Sequence, residues 1–159
     1  MLKTNTNTMT RHFDYLKITR ANLLKATADL SLEKLNHIPT GFNNSIAWNM
    51  AHCLVTQYLL CYGLSAQAIP LEAEIADLYR KGTKPTSPMS TEDVAFFRKE
   101  LAASPIKMEE DYTNGLFTQF KIYTTSYNIE LQSTEDAIQF NNIHEGLHLG
   151  YVMALKKAR

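Results

Sequence analysis

The sequence predicts an all-α protein: a four-helix bundle with a long crossover between its second and third helices and an extended arm before its fourth. Two observations carry this prediction. Apolar residues recur every three or four positions through four long segments, the period of a helix with one buried face. Between the second and third of those segments, Pro70, Gly82, Pro85 and Pro88 break the pattern, so that stretch reads as a connection.

The first helix is expected from about Thr10 to Asp29, where Phe13, Leu16, Arg20, Leu23, Thr27 and Leu30 share a face directed at the core. Residues 1–9 before it are expected to be flexible. Ser31 to Leu35 reads as one further turn before Pro39 and Gly41 punctuate the backbone. The second helix starts at Asn44 or Ser45, both good N-caps, and runs to about Gly63 with Trp48, His52, Val55, Leu59 and Tyr62 in its stripe.

The crossover holds one short helical candidate, Leu71 to Tyr79. The third and fourth helices open on the same tetrapeptide, Ser-Thr-Glu-Asp at Ser90 and again at Ser133, in which a cap oxygen precedes a carboxylate by three residues. Val94, Phe97, Leu101, Met108 and Tyr112 form the third stripe, with Pro105 expected to bend it. From Gly115 to Gln132 the pattern alternates through Tyr123, Thr125, Tyr127, Ile129 and Leu131, which fits a short hairpin or an extended covering arm. The last helix, Thr134 to Lys157, is expected to bury Ala137, Phe140, His144, Leu147, His148, Tyr151 and Leu155.

Length and composition bound the function. At 159 residues the chain reads as a single domain over 1–159. Sixteen basic against sixteen acidic residues give no net field to attract nucleic acid or an anionic membrane surface. The apolar runs fall short of a membrane span and Met1 to Thr10 lack the apolar core of a signal peptide, so a soluble cytoplasmic protein is expected. Cys53 and Cys61 lie eight residues apart on one helix, about 12 Å, too far for a disulfide, and should be reduced.

The chemistry concentrates in His144-Glu145-Gly146-Leu147-His148. Imidazoles at i and i+4 share a helix face with Cβ atoms about 5–6 Å apart and can chelate one divalent metal. They can equally be two satisfied core histidines, and a third ligand decides. In a zincin, Glu145 would be the general base and the third ligand would follow downstream, but none of the eleven residues after His148 is His, Asp or Glu. The third ligand must then lie upstream. Of His12, His37 and His52, only His52 sits mid-helix on an apolar stripe, so it is the best candidate.

Three imidazoles on two helices make a site with open positions, the arrangement of a reactive metal centre. Asn49 and Thr56 beside His52, and Asn141 beside His144, are candidate outer-shell supports. Glu145 is a candidate proton mover or a hydrogen-bond partner of His148; a solvent-facing carboxylate is its plainer alternative. Gly146 and Gly150 each cost a helix about 1 kcal/mol relative to Ala, which close helix approach or open room beside a metal would explain.

The segments Ser45-Ile-Ala-Trp-Asn-Met-Ala-His52 and Phe140-Asn-Asn-Ile-His-Glu-Gly-Leu-His-Leu-Gly-Tyr151 resemble the DinB-like family of metal-dependent enzymes. The resemblance covers nearly the whole chain. It implies an up-down-down-up bundle, a divalent metal, nickel or zinc, on His52, His144 and His148, and often a homodimer. Relatives include thiol-dependent S-transferases and isomerases, which suggests a small-molecule substrate such as a low-molecular-weight thiol. Where family members often carry Arg-Gly-Gln after the second His, this chain has Leu149-Gly150-Tyr151, so hydrolysis and thiol transfer both stay open. A non-catalytic bundle that dimerises or binds a small ligand is the alternative.

Overall fold

The computed structural model describes residues 5–158, with side chains from residue 8 onward. Helix α1 (Asn5–Thr27) is followed by the single turn α2 (Leu32–Asn36), then α3 (Ile46–Gln57), which continues into a π-helical segment over Tyr58–Gly63. The crossover contains α4 (Ala73–Tyr79) and leads to α5 (Thr91–Thr113). A hairpin of two-residue strands, β1 (Tyr123–Thr124) and β2 (Glu130–Leu131), precedes α6 (Thr134–Lys157). The expected flexibility of residues 1–9 falls partly on residues 1–4, which lie outside the described ones; from Asn5 the backbone is helical.

Local chemistry sets the helix starts. Ser45 Oγ accepts the Trp48 N–H at 3.1 Å, and Ser133 Oγ accepts the Asp136 N–H at 3.1 Å. Ser90 and Asp93 complete a reciprocal capping box. Each such cap is worth about 1 kcal/mol. The repeated tetrapeptide is thus the same capping chemistry used twice.

Hydrogen bonds between helices fix their directions. From α1 to α6 the pairs advance together, His12 with Asn142, Arg20 with Glu145 and Ala26 with Lys156, so these helices run parallel. From α3 and its π-helical end to α5, Gln57 meets Ser104 and Tyr62 meets Asp111, again in parallel. Between α1 and α5 the order reverses, Arg20 to Ser104 and Thr27 to Arg98, as it does between α3 and α6, His52 to His144 and Ser65 to Thr134. Helices α1 and α6 therefore point one way and α3 and α5 the other, with α1 and α3 each packed on both α5 and α6.

Phe13, Leu16 and Leu23 of α1, Met50 and Leu54 of α3, Leu101 and Met108 of α5, and Ile138, Val152 and Leu155 of α6 fill the centre. Burying each large side chain is worth about 1.5–3 kcal/mol. Helix α6 departs from its expected stripe. Its buried face runs through Ala137, Asn141, Glu145, Val152 and Leu155, whereas Leu147 and Tyr151 are 51% and 38% exposed. The reason is rotational: Glu145 is drawn to the centre by a buried cation, so the histidines at 144 and 148 fall on the flank of the core and Leu147 turns outward. Pro105 lies inside α5 without ending it. The alternating segment before α6 is both a hairpin, with Tyr123 opposite Leu131 and Thr124 opposite Glu130, and a covering arm.

Candidate metal centre

Helix α3 presents His52 and helix α6 presents His144 and His148 to a common point. The Nε2 atoms of His52 and His144 are 3.1 Å apart, and one ligand atom from each of the three imidazoles lies within 4.8 Å of the others. Two nitrogens bound to one tetrahedral ion at about 2.05 Å would be about 3.3 Å apart, so this spacing suits a shared cation.

The surroundings select the tautomers. His52 Nδ1 lies 2.6 Å from the Tyr79 carbonyl oxygen, which can only accept, so Nδ1 carries the proton and Nε2 keeps its lone pair. Asn49 Nδ2 donates to the Ser45 carbonyl at 2.7 Å, which orients Asn49 Oδ1 toward His148 Nδ1, also at 2.7 Å. His148 therefore donates through Nδ1 and offers Nε2 as well. Trp48 stacks on His52 with ring centroids 4.6 Å apart and planes 12° apart, which fixes the plane of that imidazole. The short chain from Ser45 through Asn49 to His148 shows how one N-cap supports a group on another helix.

The three rings are held neutral. Burial lowers the His52 pKa, with the Tyr79 hydrogen bond and the Glu145 charge offsetting part of the effect. Burial, and then the neighbouring His148 and His52, push His144 down to about 2. Burial followed by His52 brings His148 to about 4. Neutral imidazoles near pH 7 are the form that binds metal. The donor set thus fits a divalent ion: one nitrogen of each of three imidazoles converges, two rings have their tautomer set from behind, and buried His144 Nδ1 has no hydrogen-bond partner among the described residues.

The family model for the DinB superfamily matches residues 15–152 of this chain. The chain belongs to the DinB superfamily. No curated protein matches it. In this DinB-superfamily chain the three histidines that can hold a metal all lie within the matched range.

The other expected site residues divide. Asn49 contacts His148 as described, and Thr56 Oγ1 lies 3.4 Å from His52 Nε2. Asn141 is fully buried one turn before His144, and neither atom of its amide has a hydrogen-bond partner among the described residues. Glu145 faces neither solvent nor an imidazole. Its two oxygens receive Arg20 Nε and an Arg20 terminal nitrogen, both at 2.6 Å, and both side chains are 1% exposed. The same guanidinium donates to the Cys53 carbonyl at 3.1 Å and Gln57 Oε1 at 3.0 Å, so one cation ties α1 to α3 and α6, while Gln57 in turn engages Ser104 of α5. Burial opposes the Arg20 charge, and Glu145 more than restores it, leaving the pKa above its ordinary value.

His12 is half-buried and His37 exposed, and neither joins the cluster. Cys53 is no nucleophile: burial first, and the Glu145 charge second, hold its thiol well above its usual pKa. Burial likewise pushes Cys61 up to about 12.

The imidazoles open onto a cavity of about 520 Å³, a volume suited to a small organic molecule. It lies between the C-terminal half of α3 with its π-helical end, α6, the turn after α4, and the hairpin arm. The π-helical segment, closed by the Leu64 N–H donating to the Leu59 carbonyl at 3.2 Å, forms one wall with Leu59, Leu60 and Gly63. Sequence reading missed Tyr79, because a backbone acceptor carries no side-chain signature. Arg20 did carry one: a charged residue in a row with Phe13, Leu16 and Leu23 calls for a buried counter-charge.

Proposed function

We propose that this chain is a metal-dependent enzyme acting on a small molecule, with His52, His144 and His148 holding a divalent ion, nickel or zinc, at the floor of the cavity. The observation that carries the reading is the convergence of one ring nitrogen from each of three imidazoles on two helices beside a cavity of about 520 Å³. When bound, such an ion supplies Lewis acidity toward a water, a thiol or a carbonyl oxygen.

The chain's own residues prepare that chemistry. Tyr79 and Asn49 accept the Nδ1 protons of His52 and His148 and so keep their Nε2 lone pairs available. Asn141 lies buried one turn before His144, with its amide and His144 Nδ1 both unpartnered among the described residues, and we assign it the corresponding support once a metal is bound. Thr56 brings a hydroxyl to the edge of the site at the cavity wall. Glu145 works by position: clamped by Arg20 between His144 and His148 in sequence, it fixes the rotation of α6 that aims both rings. The apolar walls exclude water around the reacting group. Hydrolysis and transfer to a low-molecular-weight thiol share this arrangement, and both belong to the reading.

A reducing cytoplasmic setting accompanies this proposal, supported by two free buried cysteines, and so does a single domain that assembles as a homodimer. Light scattering on the eluting peak tests the assembly; a monomer at micromolar concentration removes it. The metal reading is tested by offering the purified chain nickel and zinc in turn and measuring bound metal. One equivalent of one ion, lost in His52→Ala, is expected. If the wild type retains neither ion, the enzyme reading fails.

A further inference from the structure

The cavity beside the imidazoles carries two cations and no carboxylate in its lining: Lys81 and Lys121 contribute to its wall, and no Asp or Glu does. They come from separate connections, Lys81 from the turn after α4 and Lys121 from the arm before β1. Both are anchored through backbone. Lys81 follows two residues after Tyr79, whose carbonyl holds His52, and Thr83 Oγ1 donates at 2.8 Å to the carbonyls of both Leu78 and Arg80 to close that turn. The Lys121 N–H donates at 2.6 Å to the Leu64 carbonyl at the end of the π-helical segment.

Neither ammonium group has a hydrogen-bond or ion-pair partner among the described residues. Among the described residues, Lys17, Lys107 and Lys156 all make ion pairs, whereas Lys81 and Lys121 make none. Asp77, the carboxylate one turn before Lys81, is engaged by Arg80 at 3.3 Å. Leu59, Leu60 and Phe140 give the same cavity apolar wall area beside the imidazoles and the two cations.

We propose that the ligand of this cavity is an amphipathic carboxylate, its reactive end at the three imidazoles, its apolar body along Leu59, Leu60 and Phe140, and its carboxylate between Lys81 and Lys121. Charge complementarity selects the ligand: an anion meets two unpaired cations and no repelling group, while a cation meets only repulsion. Which end faces the imidazoles rests on the metal-centre reading; the preference for an anion does not.

Isothermal titration of the full chain with mercaptohexanoate and with mercaptohexanol, metal-free and zinc-loaded, tests this. Two charge contacts from exposed lysines should make the acid bind about tenfold tighter than the alcohol at low salt. That advantage should shrink toward 1 M salt and vanish in the double variant Lys81→Gln, Lys121→Gln, while the alcohol binds the variant as it binds the wild type. Unchanged alcohol affinity also certifies that the variant is folded. Equal binding of acid and alcohol by the wild type, binding of neither, or an acid preference that survives in the double variant overturns the proposal. A chain that takes up no zinc but prefers the acid when metal-free sinks the metal reading and leaves this one standing.

Discussion

Substituting Glu145 by Gln keeps the shape of the side chain and one acceptor oxygen but removes the only carboxylate among the described residues that touches Arg20. The guanidinium, 1% exposed, then stays charged at the centre of the bundle with only the Cys53 carbonyl, Gln57, Ser104 and the new amide as partners. Removing one member of a buried pair costs about 3–5 kcal/mol, because the remaining ion has lost water and gained no counter-charge. Arg20→Met should cost a similar amount for the mirror-image reason. Combining Arg20→Met with Glu145→Leu removes both charges together, and replacement of a buried pair by apolar groups is often neutral or stabilising by about 1–4 kcal/mol. Urea unfolding followed by circular dichroism, with the slope held common and Glu145→Leu measured alone as the second single, gives all corners of the cycle. A cost under about 1 kcal/mol for Glu145→Gln, or a double variant as unstable as the sum of the singles, would refute the claim that this pair locks α6 to α1. A Glu145→Gln chain with native stability and normal metal uptake but no turnover would instead make the carboxylate a proton mover.

Other consequences follow from the same geometry. Because burial lowers the pKa values of His52, His144 and His148 from 6.5, the unfolded chain binds more protons than the native one below that pH. Stability of the metal-free protein is therefore complete above about pH 6.5 and falls as the pH drops toward 4, by up to about 1.4 kcal/mol per pH unit for each histidine; a flat urea midpoint between those pH values contradicts this. Asn49→Ala removes the acceptor that orients His148 and should lower metal affinity 10- to 100-fold, whereas Asn142→Ala, away from the cluster, should leave it unchanged. Competition with a chromogenic chelator reads both. A Cβ built at Gly146 or Gly150 meets nothing within 4 Å, so Gly146→Ala and Gly150→Ala should each raise stability by roughly 0.4–1 kcal/mol. A loss of stability, or of dimer in light scattering, would mean that another surface closes on that face.

The glycines also show how far each level of description reaches. Sequence offered two explanations for them, close helix approach or open room beside a metal, and within the described residues neither holds: both glycines are exposed with nothing within 4 Å of a built Cβ, and neither lines the cavity at the imidazoles. The helices themselves were legible because burial of one face imposes a period, and the starts of α3, α5 and α6 were legible because Ser45, Ser90 and Ser133 act on backbone within three residues. Leu147 and Tyr151 were misplaced for the opposite reason: apolarity says that a residue can be buried, not that the helix will turn it inward.

His52, His144 and His148 could be singled out from the chain alone, because a pair at i and i+4 is a property of one helix and a histidine on an apolar stripe needs a partner. What the chain could not supply was everything that depends on a second element arriving: the Tyr79 carbonyl on His52, Asn49 on His148, and Arg20 on Glu145. Periodicity and capping are local, acting over at most a few turns, so the residue order determined them. The rotation of α6, the neutrality of the imidazoles and the lysines at the cavity arise from contacts across roughly 30 to 125 positions of sequence, and only packing in three dimensions decided them.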